Sequence, residues 1–267
     1  MPATEPSTAS NDTSPAWAGA NLDAVHAQSD KARRVRDMFA SIAHAYDLNN
    51  RLHSLGRDQA WRRVAVRAAD VREGDRVLDV ACGTGDLTQA FAATSAPEVI
   101  GLDFTNEMLD LARAKRDRLD RARASKLSYI QGDAQDLPFD DASFDVVSVA
   151  FGIRNVQDPR RALREFARVL RPGGRLVVLE FDRPRNPIVR AFNTFYCSWL
   201  MPKTAALISR DRSGAYAYLP KSVGQFMDRD QLRGAILESG FAHATSRPLT
   251  LGVCVCHRAV REDAPRA

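Results

Sequence analysis

Two hydrophobic patterns alternate along the chain from about residue 75. Short apolar runs rich in β-branched residues predict strands, and apolar residues at helical spacing between them predict helices. The predicted strands are 76–81, 98–103, 126–131, 144–150 and 175–181, followed by 241–247 and 249–258. The predicted helices are 86–94, 106–119, 159–170 and 228–240, preceded by a helical extension before residue 75.

Strands that are apolar almost throughout and that alternate with helices are typical of a parallel sheet covered on both faces. We therefore predict an α/β fold, a doubly wound, mostly parallel, Rossmann-like sheet of seven strands with an N-terminal helical extension. Arg-Pro-Gly-Gly at 171–174 predicts a turn before the fifth strand. The single domain is expected to span 31–260, between a disordered tail at 1–30 that is rich in Ala, Ser, Thr and Pro and a short tail at 261–267.

A glycine-rich loop follows the first predicted strand, in the segment VLDVACGTGDLT at 77–88. Gly83 and Gly85 would let the backbone turn tightly and approach a ligand, at the place where doubly wound sheets bind ligands. Asp103, at the end of the second strand, is placed to accept the ribose hydroxyls of an adenosine. These features fit NAD as well, although a dinucleotide-binding loop would be expected to carry a third glycine where Thr88 stands.

The charges around the loop favour a different cofactor. Asp79 precedes the loop and Asp86 follows it, so that a pyrophosphate would be repelled, whereas a cationic cofactor without phosphate would be attracted. S-adenosylmethionine carries an ammonium, a sulfonium and an adenosine, and we predict that it is the cofactor. The peptide at Asp133 and Ala134, after the third strand, is the candidate for binding the adenine edge.

The net charge of +5 and the sequence pI of about 9.2 first suggest a nucleic-acid partner. However, only five of the 38 basic residues are lysine, and the arginines are scattered among acids, as in 113–126. That arrangement is typical of solvated helix faces, and we expect no nucleic-acid partner.

Four cysteines do not form a disulfide framework in a chain of 267 residues. Cys254-Val-Cys256-His257 is either half of a zinc site or a strand with both thiols on one face. The segment lacks a second pair of ligands, so we favour the strand and predict no metal. Residues 1–29 contain no Lys or Arg, which argues against a signal or transit peptide, and we expect a cytoplasmic protein.

Six segments carry a resemblance to a known family. They are FASIAHAYDLNNRLHSLGRDQAWRR at 39–63, VLDVACGTGDLT at 77–88, DLPF at 136–139, FGIRNVQD at 151–158, RVLRPGGRLVVLEF at 168–181 and YAYLPKSVGQF at 216–226. With them the chain resembles the class I S-adenosylmethionine-dependent methyltransferases, and more narrowly the menaquinone/ubiquinone-biosynthesis C-methyltransferase family. The resemblance covers about residues 34–258. The glycine loop and the Arg-Pro-Gly-Gly turn are shared by many methyltransferases, whereas YDLNN, FGIRNV and YLPKSV are much more specific.

The resemblance implies cofactor contacts at Thr84, Asp103, Asp133 and Ala134. Many relatives have a serine where this chain has Ala150, which removes one hydrogen bond to the cofactor or a water, at a cost of about 1 kcal/mol. The predicted cofactor-binding residues are therefore Asp79, Gly83, Thr84, Gly85, Asp103, Asp133, Ala134 and Ala150.

The reaction that the resemblance implies places a methyl group on a ring carbon of a prenylated hydroquinone, beside a hydroxyl. Such a carbon becomes nucleophilic when the neighbouring phenol loses its proton. We expect Arg154, next to Asn155, to hold the phenolate or a bound water; the alternative is an ion pair with Asp158 or a contact with a helix end. Tyr46 lies in the N-terminal cover of the site. His44 is either the general base or a half-buried helix residue.

Two alternatives to this function stay open at the level of sequence. One is a methyltransferase for another lipid or phenolic acceptor, and the other is a cofactor-binding module without catalysis, against which the acceptor-side motifs argue. The sequence also leaves open whether the acceptor is a naphthoquinol or a benzoquinol, and whether the chain forms a homo-oligomer.

A prenyl tail on the acceptor requires access to lipid, and one segment of the chain is a candidate for that contact. Phe192, Phe195, Tyr196 and Trp199 recur at helical spacing, which predicts either an interfacial helix or lid or a core-packing helix. The first possibility implies peripheral contact with the inner face of the membrane.

Overall fold

The computed structural model describes Trp17, Leu22, residues 24–201 and residues 215–262. The strands are β1 (Arg76–Val80), β2 (Glu98–Asp103), β3 (Leu127–Gln131), β4 (Phe144–Ala150), β5 (Leu170–Phe181), β6 (Phe241–Leu249) and β7 (Cys254–Arg261). The helices are α1 (Lys31–His53), α2 (Arg57–Ala69), α3 (Asp86–Ala92), α4 (Asn106–Arg116), α5 (Arg121–Ala124), α6 (Pro159–Val169), α7 (Pro187–Phe195), α8 (Ala215–Gln225) and α9 (Arg229–Leu237). A π-helical turn at Tyr196–Leu200 extends α7.

The seven strands form one sheet in the order β3-β2-β1-β4-β5-β7-β6. The first five strands are parallel, and β7 runs antiparallel to both β5 and β6. The strand order reverses between β1 and β4, which creates a crevice at their carboxyl ends where ligands of doubly wound sheets bind. The predicted fold, a mostly parallel sheet of seven strands, is confirmed.

Helices cover both faces of the sheet, as the apolar strands require. On one face α2, α3 and α4 contribute Trp61, Phe91 and Leu109 to an apolar cluster with the strands. On the other face α6 and α9 contribute Phe166 and Ile236 to a second cluster. Each face is thereby removed from water, which explains why the strand sequences lack polar alternation.

The turn predicted at 171–174 lies within β5 as a bulge. Leu170 and Arg175 pair with Phe144 and Val146, so that four residues of β5 stand opposite one residue of β4. Gly173 has φ 72°, and a Cβ on Gly174 would lie 2.7 Å from the carbonyl oxygen of Arg171. The predicted turn before the fifth strand is therefore a bulge inside β5, because the strand pairs with β4 on both sides of it.

The prediction of a disordered tail at 1–30 is wrong for the residues of this segment that the structure describes. Trp17, Leu22 and Val25 are buried in a third apolar cluster with Met38 of α1 and Tyr218 of α8. The rings of Trp17 and Tyr218 lie 4.8 Å apart. The polar composition of the segment concealed these three apolar residues. Residues 1–16, 18–21 and 23, and residues 263–267 of the predicted C-terminal tail, lie outside the described residues.

The interpretation of Cys254 and Cys256 as strand residues is confirmed. Both lie in β7 and are buried in the same apolar cluster, and burial raises the pKa of the Cys256 thiol to about 11. Within the part of the chain that the structure describes, no helix is both long and apolar enough to cross a bilayer.

Candidate active site

A cavity of about 770 Å³ lies at the carboxyl ends of β1, β2 and β4, and we call it the loop cavity. Helix α1 closes it from the opposite side through Val35, Phe39 and Tyr46. The predicted site residues that line it are Tyr46, Gly83, Asp103, Asp133, Ala134, Ala150 and Asn155. Seven predicted residues from six different segments of the chain thus meet in one cavity.

Asp103 is held rigidly at the end of β2 by backbone amides. The N–H of Gly83 donates to its Oδ2 at 2.8 Å, and the N–H of Thr105 donates to its Oδ1 at 2.9 Å. Each carboxylate oxygen keeps a further lone pair for a ligand hydroxyl. Burial raises the pKa of Asp103, and the two backbone hydrogen bonds act in the opposite direction. The arrangement is suited to accept hydrogen bonds from the two hydroxyls of a ribose.

Apolar side chains and acids line the loop cavity together. Phe104, Met108 and Ala134 belong to the apolar part of the lining, and the Oδ1 of Asp133 accepts from the backbone N–H of Gln135 at 2.9 Å. Among the described residues, the charged groups that line the whole cavity are Arg36, Asp103 and Asp133. Two acids and one base favour a cationic ligand over a pyrophosphate, and the apolar side chains suit an aromatic base such as adenine.

Asp79 and Gly85, predicted to bind the cofactor, lie beneath the loop and do not line the cavity. The carboxylate of Asp79 accepts from the Oγ of Ser148 at 2.6 Å and from the Oγ1 of Thr88 at 2.7 Å. Burial raises its pKa to about 6, although the two hydroxyls oppose that shift. Gly85 has φ 82°, and a Cβ there would lie 2.6 Å from the hydroxyl of Tyr129. Asp79 lies in β1 and Gly85 is the residue before α3, and both shape the loop without lining the cavity.

Thr84 also faces away from the loop cavity and instead connects the loop to α1. Its Oγ1 donates to the Oδ1 of Asp47 at 2.6 Å. Lys115 of α4 donates to the Oδ2 of Asp47 at 2.8 Å and also to a carboxylate oxygen of Asp86. We call these four residues, Asp47, Thr84, Asp86 and Lys115, the latch. Sequence reasoning missed Lys115, because its helix resembled a solvated face.

A second and larger cavity, of about 1680 Å³, lies between α1, α2, α7, α8 and the end of β5, and we call it the apolar cavity. Most of its lining is apolar and includes Met38, Ile42, Trp61, Phe181 and Val253. Three residues, Phe39, Tyr46 and Phe151, line both cavities. The two cavities are therefore neighbours that share one wall.

Arg154 lines the apolar cavity at a buried position and is 4% exposed. Its Nη1 donates to Glu180 Oε1 at 2.6 Å and to the carbonyl oxygen of Phe151 at 2.7 Å. The alternative of an ion pair with Asp158 is wrong, because Asp158 caps α6 instead. Within the described part of the chain, the Nε of Arg154 is buried without a hydrogen-bond partner. Arg154 thus keeps a donor available for a ligand.

The other predicted catalytic residues occupy different positions. His44 is exposed on α1 and lines neither cavity, so its position does not support the role of general base, and the alternative of a half-buried helix residue is wrong. Asn155 lines the loop cavity, and its Oδ1 accepts from the hydroxyl of Tyr218 at 2.9 Å. Tyr46 lies in the shared wall, where burial raises the pKa of its phenol.

Two charged residues of α2 in the apolar cavity were missed by sequence reasoning. Asp58 and Arg62 are both buried, and the Nη1 of Arg62 donates to Asp58 Oδ2 at 3.1 Å. Their spacing of four residues is that of a surface ion pair on a helix. The adjacent Trp61 was the signal that this helix face is buried.

The apolar stripe of α7 faces outward. Ile188, Phe192, Phe195 and Trp199 are all more than half exposed, and the rings of Phe195 and Trp199 stack at 5.2 Å. Tyr196 lines the apolar cavity instead, and its hydroxyl donates to the carbonyl oxygen of His53 at 3.1 Å. A core-packing helix is therefore the wrong alternative for Phe192, Phe195 and Trp199.

Comparison with known proteins finds a family whose members this chain resembles. Residues 27–261 match the protein family described as the ubiE/COQ5 methyltransferase family. The "Ubiquinone/menaquinone biosynthesis C-methyltransferase UbiE" of Ectopseudomonas mendocina is 41% identical over 237 residues, which cover 88% of this chain and 91% of that protein. The "Demethylmenaquinone methyltransferase" of Clavibacter sepedonicus is 41% identical over 242 residues, which cover 89% and 96%.

Solved structures show the same fold at lower identity. An S-adenosylmethionine-dependent methyltransferase from Thermotoga maritima superimposes with a TM-score of 0.56 at 18% sequence identity. The match covers 85% of this chain and 100% of that chain.

Proposed function

The chain belongs to the ubiE/COQ5 methyltransferase family, and we propose that it methylates a ring carbon of a prenylated hydroquinone in respiratory quinone biosynthesis. It is an S-adenosylmethionine-dependent C-methyltransferase. The acceptor we propose is demethylmenaquinol or the corresponding benzoquinol. The observation that carries this proposal is the large apolar cavity that shares Phe39, Tyr46 and Phe151 with the loop cavity.

The loop cavity fits the cofactor through residues already in place. Asp103 would accept the ribose hydroxyls, while Asp133 and Ala134 would contact the adenine edge between apolar walls. When bound, S-adenosylmethionine supplies an electrophilic methyl group on a sulfonium. The shared wall would position that methyl group between the two cavities, at the point where Tyr46 and Phe151 meet both.

Arg154 would hold the activated acceptor. Its cationic guanidinium, anchored by Glu180, favours the phenolate over the phenol and thereby lowers the pKa of the bound hydroxyl. Arginine stays protonated, so it stabilises the anion and does not abstract the proton. Methyl transfer from a sulfonium to a phenolate-activated carbon neutralises two charges, and the apolar lining favours such a step because it excludes water.

The prenyl tail is proposed to reach the membrane beside α7. This helix lines the apolar cavity with Tyr196 of its π-helical turn and exposes Phe192, Phe195 and Trp199 on its outer side. We propose peripheral contact of this face with the membrane surface, where aromatic side chains bind at the level of the headgroups.

The test incubates the purified protein with methyl-labelled S-adenosylmethionine and, separately, short-chain demethylmenaquinol and its benzoquinol counterpart under anaerobic conditions. We expect mass spectrometry to find the label on the ring carbon of at least one product. The variant Arg154→Gln/Glu180→Gln, which removes both buried charges together, should lower kcat by roughly 10²–10³.

The matched control is Arg164→Gln, which changes an exposed arginine of α6 and should leave kcat unchanged. Calorimetry should give nearly equal cofactor affinities for all variants. Absence of ring methylation with both quinols would refute the proposed acceptor class, and methylation of a ring oxygen would identify a different phenol methyltransferase.

A further inference from the structure

A second buried arginine lies in the apolar cavity without a role in the reaction described above. Arg62 of α2 is 8% exposed, and its guanidinium contacts Asp58 through Nη1. Among the described residues, no group accepts a hydrogen bond from its Nε, which is buried. A buried cationic donor without an acceptor is unfavourable unless a ligand supplies one.

The surroundings of Arg62 match those of Arg154. The Cζ of Arg62 lies 5.5 Å from the ring centroid of Phe151, and the Cζ of Arg154 lies 5.4 Å from that of Phe181. The two phenylalanine rings lie 4.7 Å apart at 34°. An aromatic pair in the cavity wall therefore carries one buried arginine beside each ring, and within the described part of the chain the Nε of each arginine has no hydrogen-bond partner.

Asp58 fixes the position of Arg62 and has little capacity left for a ligand. Its carboxylate accepts from the Oγ of Ser54 at 2.9 Å, from the Nε2 of Gln59 at 3.0 Å and from Arg62. With three donors on its two oxygens, Asp58 acts as a positioning residue. Among the residues that the structure describes here, the Nε of Arg62 is a buried donor without an acceptor.

We propose that Arg62 binds the second ring oxygen of the acceptor, para to the oxygen held by Arg154. This inference rests on the proposed function, in which the acceptor has two para hydroxyls, and it identifies the residue that recognises the second of them. The ring would pack against Phe151 and Phe181, and its oxygens, on opposite edges, would each accept a hydrogen bond from one arginine. A phenol with a single hydroxyl would leave Arg62 unpartnered and would bind less tightly.

The experiment combines a change in the protein with a change in the ligand. Calorimetry under reducing, anaerobic conditions measures the affinity of cofactor-loaded protein for a short-chain quinol and for its analogue that lacks the para hydroxyl. We expect the wild-type protein to prefer the diol by about 10–100-fold, the range for a hydrogen bond to a charged group. In Arg62→Met the preference should fall below about threefold, because the affinity for the monophenol changes little.

Two further variants separate recognition from folding. Arg62→Met leaves the buried carboxylate of Asp58 without its cation. The double variant Asp58→Asn/Arg62→Met removes both charges, and the preference for the diol should be lost in it as well. Arg63→Met changes the adjacent arginine, which is exposed and lines neither cavity, and it should keep the wild-type preference.

Two results would overturn the inference. One is a preference for the diol in both Arg62 variants that is as large as in the wild-type protein. The other is a loss of affinity for S-adenosylmethionine in these variants that is as large as the loss of affinity for the diol, which would assign Arg62 to the cofactor. Ring methylation is scored separately in the same samples. Binding therefore tests Arg62 and product formation tests the proposed function, so that either can fail alone.

Discussion

Asp79 and Asp103 are buried carboxylates at the ends of neighbouring strands, and their hydrogen-bond donors distinguish them. Two side-chain hydroxyls hold Asp79 beneath the loop, whereas backbone amides orient Asp103 in the loop cavity. The pKa of Asp79 is raised to about 6 by burial, above the value of about 3.9 of an unfolded chain. The folded state therefore binds the proton more tightly, and ionisation of Asp79 lowers stability as pH rises between these values.

The raised pKa of Asp79 predicts how the stability of Asp79→Asn depends on pH. Relative to the wild-type protein, the variant should gain free energy of unfolding between pH 4 and pH 7, by up to about 3 kcal/mol. The reason is that asparagine has no charge to bury, while its amide can still bond the hydroxyls of Ser148 and Thr88. Urea unfolding across this pH range measures the difference, with the exposed Asp140→Asn as control. Parallel stability curves for wild type and variant would contradict the raised pKa.

Residue types and their order along the chain were enough to predict that four residues lie in one site, because the carboxyl ends of parallel strands meet at one edge of the sheet. These residues are Gly83, Asp103, Asp133 and Ala134. The direction of a helical side chain was harder to predict. His44 and Tyr46 lie two positions apart on α1, yet one faces solvent and the other lies in the shared wall. Arg62 had the spacing of a surface ion pair, and only the packing of Trp61 shows that its helix face is buried.

At the scale of elements, α1 covers the site and is attached at both of its ends. Near its start, Lys31 donates to the carbonyl oxygen of Val156, and the backbone N–H of Ala32 donates to Gln157. Near its end, the latch joins Asp47 to the glycine loop and α4. The position of α1 therefore depends on polar contacts with the loop after β4, the glycine loop and α4 as well as on apolar packing.

We predict that Lys115→Met loosens α1. The substitution removes the cation that faces Asp47 and Asp86, so the two carboxylates repel each other. Amide hydrogen exchange in residues 40–50 should become faster, and affinity for S-adenosylmethionine should fall by about tenfold. Arg118→Met, an exposed change just after the same helix, serves as control. Unchanged exchange in residues 40–50 would show that apolar packing alone holds α1.

At the scale of the whole molecule, two segments expose apolar side chains. One is the α7 stripe, and the other consists of Leu48, Leu52 and Leu55 at the end of α1. Tyr196 and His53, which belong to the same two parts of the chain, both line the apolar cavity and are joined by a hydrogen bond. We call the two exposed segments together the apolar rim, and we propose that it contacts the membrane from which a prenyl tail would enter.

The rim predicts a dependence on tail length. Phe195→Ser/Trp199→Ser should lower kcat/KM for a long-tailed quinol in lipid vesicles by at least about tenfold, and much less for a tail-less quinol in solution. Loss of membrane contact is the physical reason, since neither residue lines a cavity. Leu237→Ser, on the distant α9, is the control. Equal losses with both acceptors would instead indicate damage to the fold.

The overall architecture was predictable because long apolar patterns mark each strand and helix, and strands and helices alternate along the chain. The N-terminal segment was not, because three apolar residues, Trp17, Leu22 and Val25, are diluted by polar neighbours over its whole length. The apolar cavity also could not be foreseen, since α1, α2, α7 and α8 are distant in sequence and their packing alone creates it.

Helix α1 covers both cavities, which has a consequence for the catalytic cycle. Residues of α1 between Ala32 and Tyr46 line the loop cavity, and residues between Met38 and His53 line the apolar cavity, so that one helix packs against the contents of both. Departure of either product would remove packing from this helix and make departure of the other easier. Spent cofactor and methylated lipid would thus leave as linked events, and the pace of turnover would be set by the opening of this helix.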